Sequence, residues 1–72
     1  MTVYVLLDCD DEAVPPTEER VEDFATLDDA KRAASHRVAP IALTWRMHNG
    51  GWVAHLPRSL RLLRVQPEEG QP

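Results

Sequence analysis

Four carboxylates crowd one short segment, Asp8, Asp10, Asp11 and Glu12. Such oxygen-rich runs are where a hard cation would be sought. Calcium loops set carboxylates at fixed alternations and place a glycine at the sharpest turn. This run has no glycine, so it reads as a solvated acidic loop. Cys9 is flanked by Asp8 and Asp10. Neighbouring negative charge disfavours the thiolate, which is the wrong direction for a nucleophile. Ser59 stands in a turn beside arginines, without a histidine–carboxylate signature. Glycine occurs only at positions 50, 51 and 70, so no phosphate-cradling loop can be built. The sequence therefore nominates no catalytic residue, no cofactor, no small-molecule substrate and no enzyme activity.

Arginine is the remaining reactive chemistry. Seven arginines accompany a single lysine, and the charges are segregated. Residues 8 to 29 hold ten acids and one base, Arg20, whereas residues 30 to 66 hold seven bases and no acid. Glu68 and Glu69 complete a net charge of −4. Asymmetry of this kind can mark a polar partner surface, or an acidic segment that neutralises a basic half nearby.

The elements that must position these groups belong to a short chain. With 72 residues, 43% hydrophobic and 28% charged, it has room for one domain with a barely sufficient core. A lone cysteine makes no internal disulfide and suits a reducing compartment. No apolar run reaches the ~18 residues of a membrane span, and no basic region precedes an apolar stretch as in a signal peptide. The expectation is a cytoplasmic protein with no membrane contact.

Thr2 to Leu7 is β-branched and aromatic, reads as a strand with two apolar faces, and should end at Asp8. Residues 8–20 read as an acidic loop, because Pro15-Pro16 excludes a regular helix or central strand. Thr17-Glu18-Glu19 could cap a single helical turn, and residues 21–25 could equally be a short edge strand that brings Phe24 into the core, which leaves open whether the sheet has four strands or five. Leu27 to Val38 is the one helix. Thr26 caps it, Asp28 and Asp29 face the positive end of its dipole, and His36 and Arg37 the negative end. Leu27, Ala30, Ala34 and Val38, with Ala33 beside them, form a small-residue stripe that can lie close to a sheet.

Ile41, Leu43, Trp45 and Met47 then alternate with Ala42, Thr44 and Arg46, the period of a half-buried strand. Asn49-Gly50 is a strong hairpin signal. With these as the turn residues, Met47 faces Trp52, Trp45 faces Ala54 and Leu43 faces Leu56, all on one side. Arg46 with Val53 and Thr44 with His55 take the other. A one-residue slip would destroy this agreement. His48 and His55 share the second side, but His48 lies ~13 Å along the strand from Thr44, too far for one zinc ion. His36 belongs to the helix end, so no metal site is expected. Pro57-Arg58-Ser59 is a second turn, and Leu60 to Val65 a last strand, apolar on both faces.

The predicted fold is thus α+β: β-α-β-β-β, a mostly antiparallel four-stranded sheet with one helix packed on one face. Residues 1–66 form the domain and residues 67–72 a disordered tail. The leading functional expectation is a small non-catalytic protein-interaction module with a protein partner or a second copy of itself. The two-faced last strand is the contact, through Leu60, Arg61, Leu62, Leu63 and Arg64. Two alternatives stand beside it. One is nucleic-acid binding by the Arg-rich residues 31–64, with Arg46, Arg58, Arg61 and Arg64 on phosphates. The other is an acidic nucleic-acid mimic formed by residues 8–29.

Phe24-Ala25-Thr26-Leu27-Asp28-Asp29-Ala30-Lys31 resembles the strand, F-x-T, helix arrangement of the arm-binding domains of phage-type integrases. In those domains the strands precede the helix, whereas here three follow it. The whole of residues 21 to 65 looks more like short uncharacterised proteins of actinobacteria and their phages. These carry an F-x-T-L-x-x-A-x-x-A helix and then a W-x-x-x-x-x-G-x-W-x-A hairpin. Trp45, Gly51, Trp52 and Ala54 represent the second pattern here, with Gly51 immediately before Trp52. The resemblance implies a fold and no activity.

Overall fold

The computed structural model describes residues 2–69. Its elements are β1 (Thr2–Asp10), β2 (Thr17–Phe24), α1 (Leu27–Val38), β3 (Arg46–His48), β4 (Gly51–His55) and β5 (Arg61–Glu69). They form one helix and one antiparallel sheet of five strands, ordered β2-β1-β5-β4-β3.

The sheet has five strands rather than the four of the predicted fold, because the edge strand left open at residues 21–25 does form and extends back through much of the acidic stretch. β1 continues through Asp8 to Asp10, and β2 begins at Thr17. Only residues 11–16, with the two prolines, make the connection, so the expected acidic loop over residues 8–20 is corrected to a shorter turn. Carboxylates are tolerated in β2 because it is an edge strand whose acids remain in water. Val21 and Phe24 anchor it to the helix-covered core, and an irregularity between Leu6 and Leu7 adjusts its register.

α1 has the bounds and cap expected of it. The Thr26 side chain accepts a hydrogen bond from the Asp29 backbone N–H at 3.1 Å. Ala30, Ala34 and Val38 are buried against Leu6, Leu56, Leu63 and Val65. The short side chains let α1 approach the sheet closely, and it packs on β1, β2 and β5. Its backbone does not come close to β3 and β4, whose side of the core is filled by Leu43, Trp45 and Trp52. Trp52 tilts against Tyr4 with ring centroids 6.2 Å apart, and the Lys31 ammonium lies 6.0 Å from both indoles.

The hairpin turn has the expected register. Asn49 (φ 49°) and Gly50 (φ 78°) both adopt positive φ, as a tight two-residue hairpin turn requires. Arg46 pairs with Val53 and Met47 with Trp52. The strand before the turn is shorter than its alternation suggested. Residues 41–45 are outside the ladder, so Trp45 with Ala54 and Leu43 with Leu56 are not strand partners. Their alternation serves packing: Leu43 and Trp45 dip into the core, while Ile41 is exposed and Met47 is 77% exposed at an edge that α1 does not cover. Gly51 has a separate reason to lack a side chain, since a Cβ there would lie 2.8 Å from the Val65 carbonyl oxygen.

β5 differs most from expectation. It is a central strand between β1 and β4, so it offers no free edge for pairing. It starts at Arg61, leaving Leu60 in the turn, and runs to Glu69. The expected tail therefore contributes residues 67–69 to the sheet, and residues 70–72 lie outside the described residues. Pro67 is accommodated opposite Tyr4 near the strand's end, where β4 no longer pairs with it.

Candidate functional site: the open face of the sheet

Alternation along each strand divides its residues between two faces. Tyr4, Leu6 and Asp8 of β1 face α1. Val3, Val5, Leu7 and Cys9 face the opposite side, where no helix packs. Val5 is nevertheless 1% exposed and Leu7 7%. Their cover comes from the flanking strands. Leu7 has Arg20 in register on one side and Arg64 on the other. Arg20 reaches Glu68 at 3.6 Å and Arg64 reaches Glu18 at 3.8 Å. Each of these ion pairs joins β2 to β5 across β1, so the charged side chains roof the apolar stripe. Arg20 is also held by Asp23 at 2.8 Å, and this hydrogen bond holds the Asp23 carboxyl below its ordinary range. The Cys9 thiol is pushed up, first by burial and then by the charge of Glu18. It is a buried structural thiol.

Beyond this roof, toward β3, the open face sinks into a groove of about 360 Å³ lined by Arg46, Met47, His48, Val53, His55, Leu62 and Arg64. Val53 is 7% exposed and forms the floor with Leu62. Two arginines and two histidines make the rim, and among the described residues no carboxylate lines it. Among the described residues, Arg46 has no carboxylate within ion-pair distance, and Arg64 has only Glu18. Opposed strands bring these residues together: Arg46 faces Val53, which faces Arg64, while His55 faces Leu62. The groove suits an anionic group carried beside an apolar one.

A second polar cluster lies on the covered face. Asp8, 8% exposed, accepts hydrogen bonds from Arg37 Nε at 3.0 Å and Arg61 Nη2 at 2.9 Å. Arg37 also reaches Glu19 at 3.5 Å, and Glu19 stands in register with Asp8. One arginine of α1 thereby neutralises a like-charge pair across two strands and ties the helix end to the sheet. Its partners are satisfied within the molecule, so this cluster is structural.

The sequence-derived residues are divided by this geometry. Leu63 is wholly buried under α1 and is not available as a contact. Arg61 is engaged by Asp8, and Leu60 is exposed in the turn, away from the β5 ladder. Leu62 and Arg64 line the groove. Of the four arginines considered for nucleic acid, Arg46 and Arg64 share the groove, while Arg58 sits in the β4–β5 turn at φ 58°. The ten acids are likewise dispersed. Asp8 is buried, Glu18 and Asp23 are on the open side, Glu19 is on the other, and Asp28 and Asp29 open the helix. His48, His55, Met47 and Val53 escaped the sequence reading as site residues. The hairpin register already placed both histidines with Arg46 and Val53 on one side, and that was the available signal. Among the described residues no group of three or more histidine, cysteine or acidic side chains is arranged to hold a metal ion. Among the described residues no helix is long and apolar enough to cross a membrane. Compared with known proteins, the chain matches no family model, no curated sequence and no solved structure.

Proposed function

We propose that this chain is a non-catalytic protein-interaction module that takes an acidic segment of its partner in the open-face groove. The observation that carries this reading is the groove's composition: a basic rim of Arg46, Arg64, His48 and His55 around an apolar floor, without a carboxylate in its lining. A carboxylate-bearing peptide with one apolar side chain matches both parts, with charge giving orientation and the floor giving contact area. The earlier contact set is revised accordingly, keeping Leu62 and Arg64 and adding Arg46, His48, Val53 and His55.

Single-stranded nucleic acid is the competing ligand. It is disfavoured because base stacking needs aromatic platforms, and Tyr4, Phe24, Trp45 and Trp52 all pack toward the helix-covered core. The test is anisotropy of a labelled acidic decapeptide with a central leucine, run beside labelled single-stranded DNA and RNA at low and moderate salt. Peptide binding that Arg46→Glu weakens by about tenfold supports the proposal. Preferential binding of nucleic acid, or no peptide binding by the folded chain, overturns it.

A further inference from the structure

The strand order converts the charge segregation of the sequence into a polarity of the sheet. Acidic β2 is one edge, and β3, with Arg46 and His48, is the other. The connection leaving β1 carries Asp11, Glu12 and Val14, and Val14 is 98% exposed. The first part of this connection is fixed. The Asp11 N–H donates to the Leu60 carbonyl at 3.3 Å, and Glu12 accepts from the Leu60 N–H at 3.3 Å. An apolar knob on an acidic stem therefore stands on a held base. The same molecule carries a groove with a basic rim and an apolar floor.

We infer that the acidic segment bound in the groove is the residue 11–16 turn of a second copy of this chain. This rests on the groove reading above and names its partner. Val14 of one copy sits on Val53 and Leu62 of the other, while Asp11 and Glu12 face Arg46 and Arg64. Knob and groove are different patches, so the contact is heterologous. It either closes reciprocally into a dimer or propagates as an open chain. Like-with-like pairing of β2 edges is opposed by Glu18, Glu19, Glu22 and Asp23 along that strand. One loop in one groove buries little area, so the affinity should be on the order of 100 µM. Arg64 must exchange Glu18 for the incoming carboxylates, a replacement of one exposed ion pair by another.

Sedimentation velocity of the full chain from about 5 µM to 1 mM, a range set around that affinity, tests this. The expected result is a mean mass rising above 8.1 kDa with concentration. Val14→Ser and Arg46→Glu should each weaken association by about tenfold. Asp11→Arg should also weaken it, and an equimolar mixture of Arg46→Glu with Asp11→Arg should associate more tightly than either variant alone. Circular dichroism establishes that each variant is folded. A wild-type mass fixed at 8.1 kDa throughout, or association indifferent to both Val14→Ser and Arg46→Glu, overturns the inference. The labelled decapeptide keeps the two proposals apart. If it binds a chain that stays monomeric, the groove reading stands and self-association falls. If neither occurs, both fall.

Discussion

On the covered face, Leu6, Leu63 and Val65 are wholly buried beneath α1 and its neighbours. On the open face, Val5 and Leu7 are almost as deep with no element above them, only the ion pairs Arg20–Glu68 and Arg64–Glu18. Similar burial thus has two physical origins. A helix is held by an apolar stripe, a cap and the Asp8 cluster, and cannot leave without unfolding the domain. Exposed ion pairs across 3.6 to 3.8 Å are weak and can exchange partners. One face is committed to stability. The other keeps apolar surface dry while leaving it available, and the groove lies on that side.

The largest test of this contrast compares two leucines. Leu63→Ala should lower unfolding free energy by about 4 kcal/mol, because the site beneath α1 cannot collapse. Leu7→Ala should lose about 2 kcal/mol, because long charged side chains can settle into the space. Urea denaturation measures both, and equal losses would break the distinction between the faces. Next is the tie between helix and sheet. Asp8→Asn removes the charge shared by Arg37 and Arg61 and should cost about 2 kcal/mol, near the middle of the range for charged hydrogen bonds since both arginines are partly exposed. A change within error would mean that the cluster does not hold α1 in place.

The smallest effect belongs to the roof. Arg20 depresses the Asp23 carboxyl, so the pair's contribution is complete above the unfolded carboxyl value and is lost as pH falls through the lower folded one. Acid denaturation of Asp23→Asn beside wild type should show a small wild-type advantage near neutrality that disappears below about pH 4. An advantage that grows toward low pH would have the wrong sign for this ion pair.

Legibility from sequence followed the range of the physics. α1 and the hairpin turn are local. Thr26, the alanine stripe and Asn49-Gly50 act over a few residues, and their bounds and register were readable. β2 was legible only in part. An edge strand at residues 21–25 is one of two readings, but composition places the acid-rich residues before it in a loop, whereas two anchors, Val21 and Phe24, suffice to hold an edge strand whose charges face water. The half of the groove formed by Arg46, Val53 and His55 was implicit in the hairpin register. The half formed by Leu62 and Arg64 was identified as contact surface for a different reason, a strand edge that β5 does not possess.

By itself the sequence determined the helix, its cap, the turn, the register of the short ladder beside that turn, and the separation of acidic from basic residues along the chain. These depend on local backbone preference and periodicity. Only the tertiary structure decided that β5 lies at the centre, that Asp8 is clasped by Arg37 and Arg61, and that the groove carries a basic rim. Each of those depends on which strands become neighbours, and that choice is made by burial summed over the whole sheet rather than by any one segment.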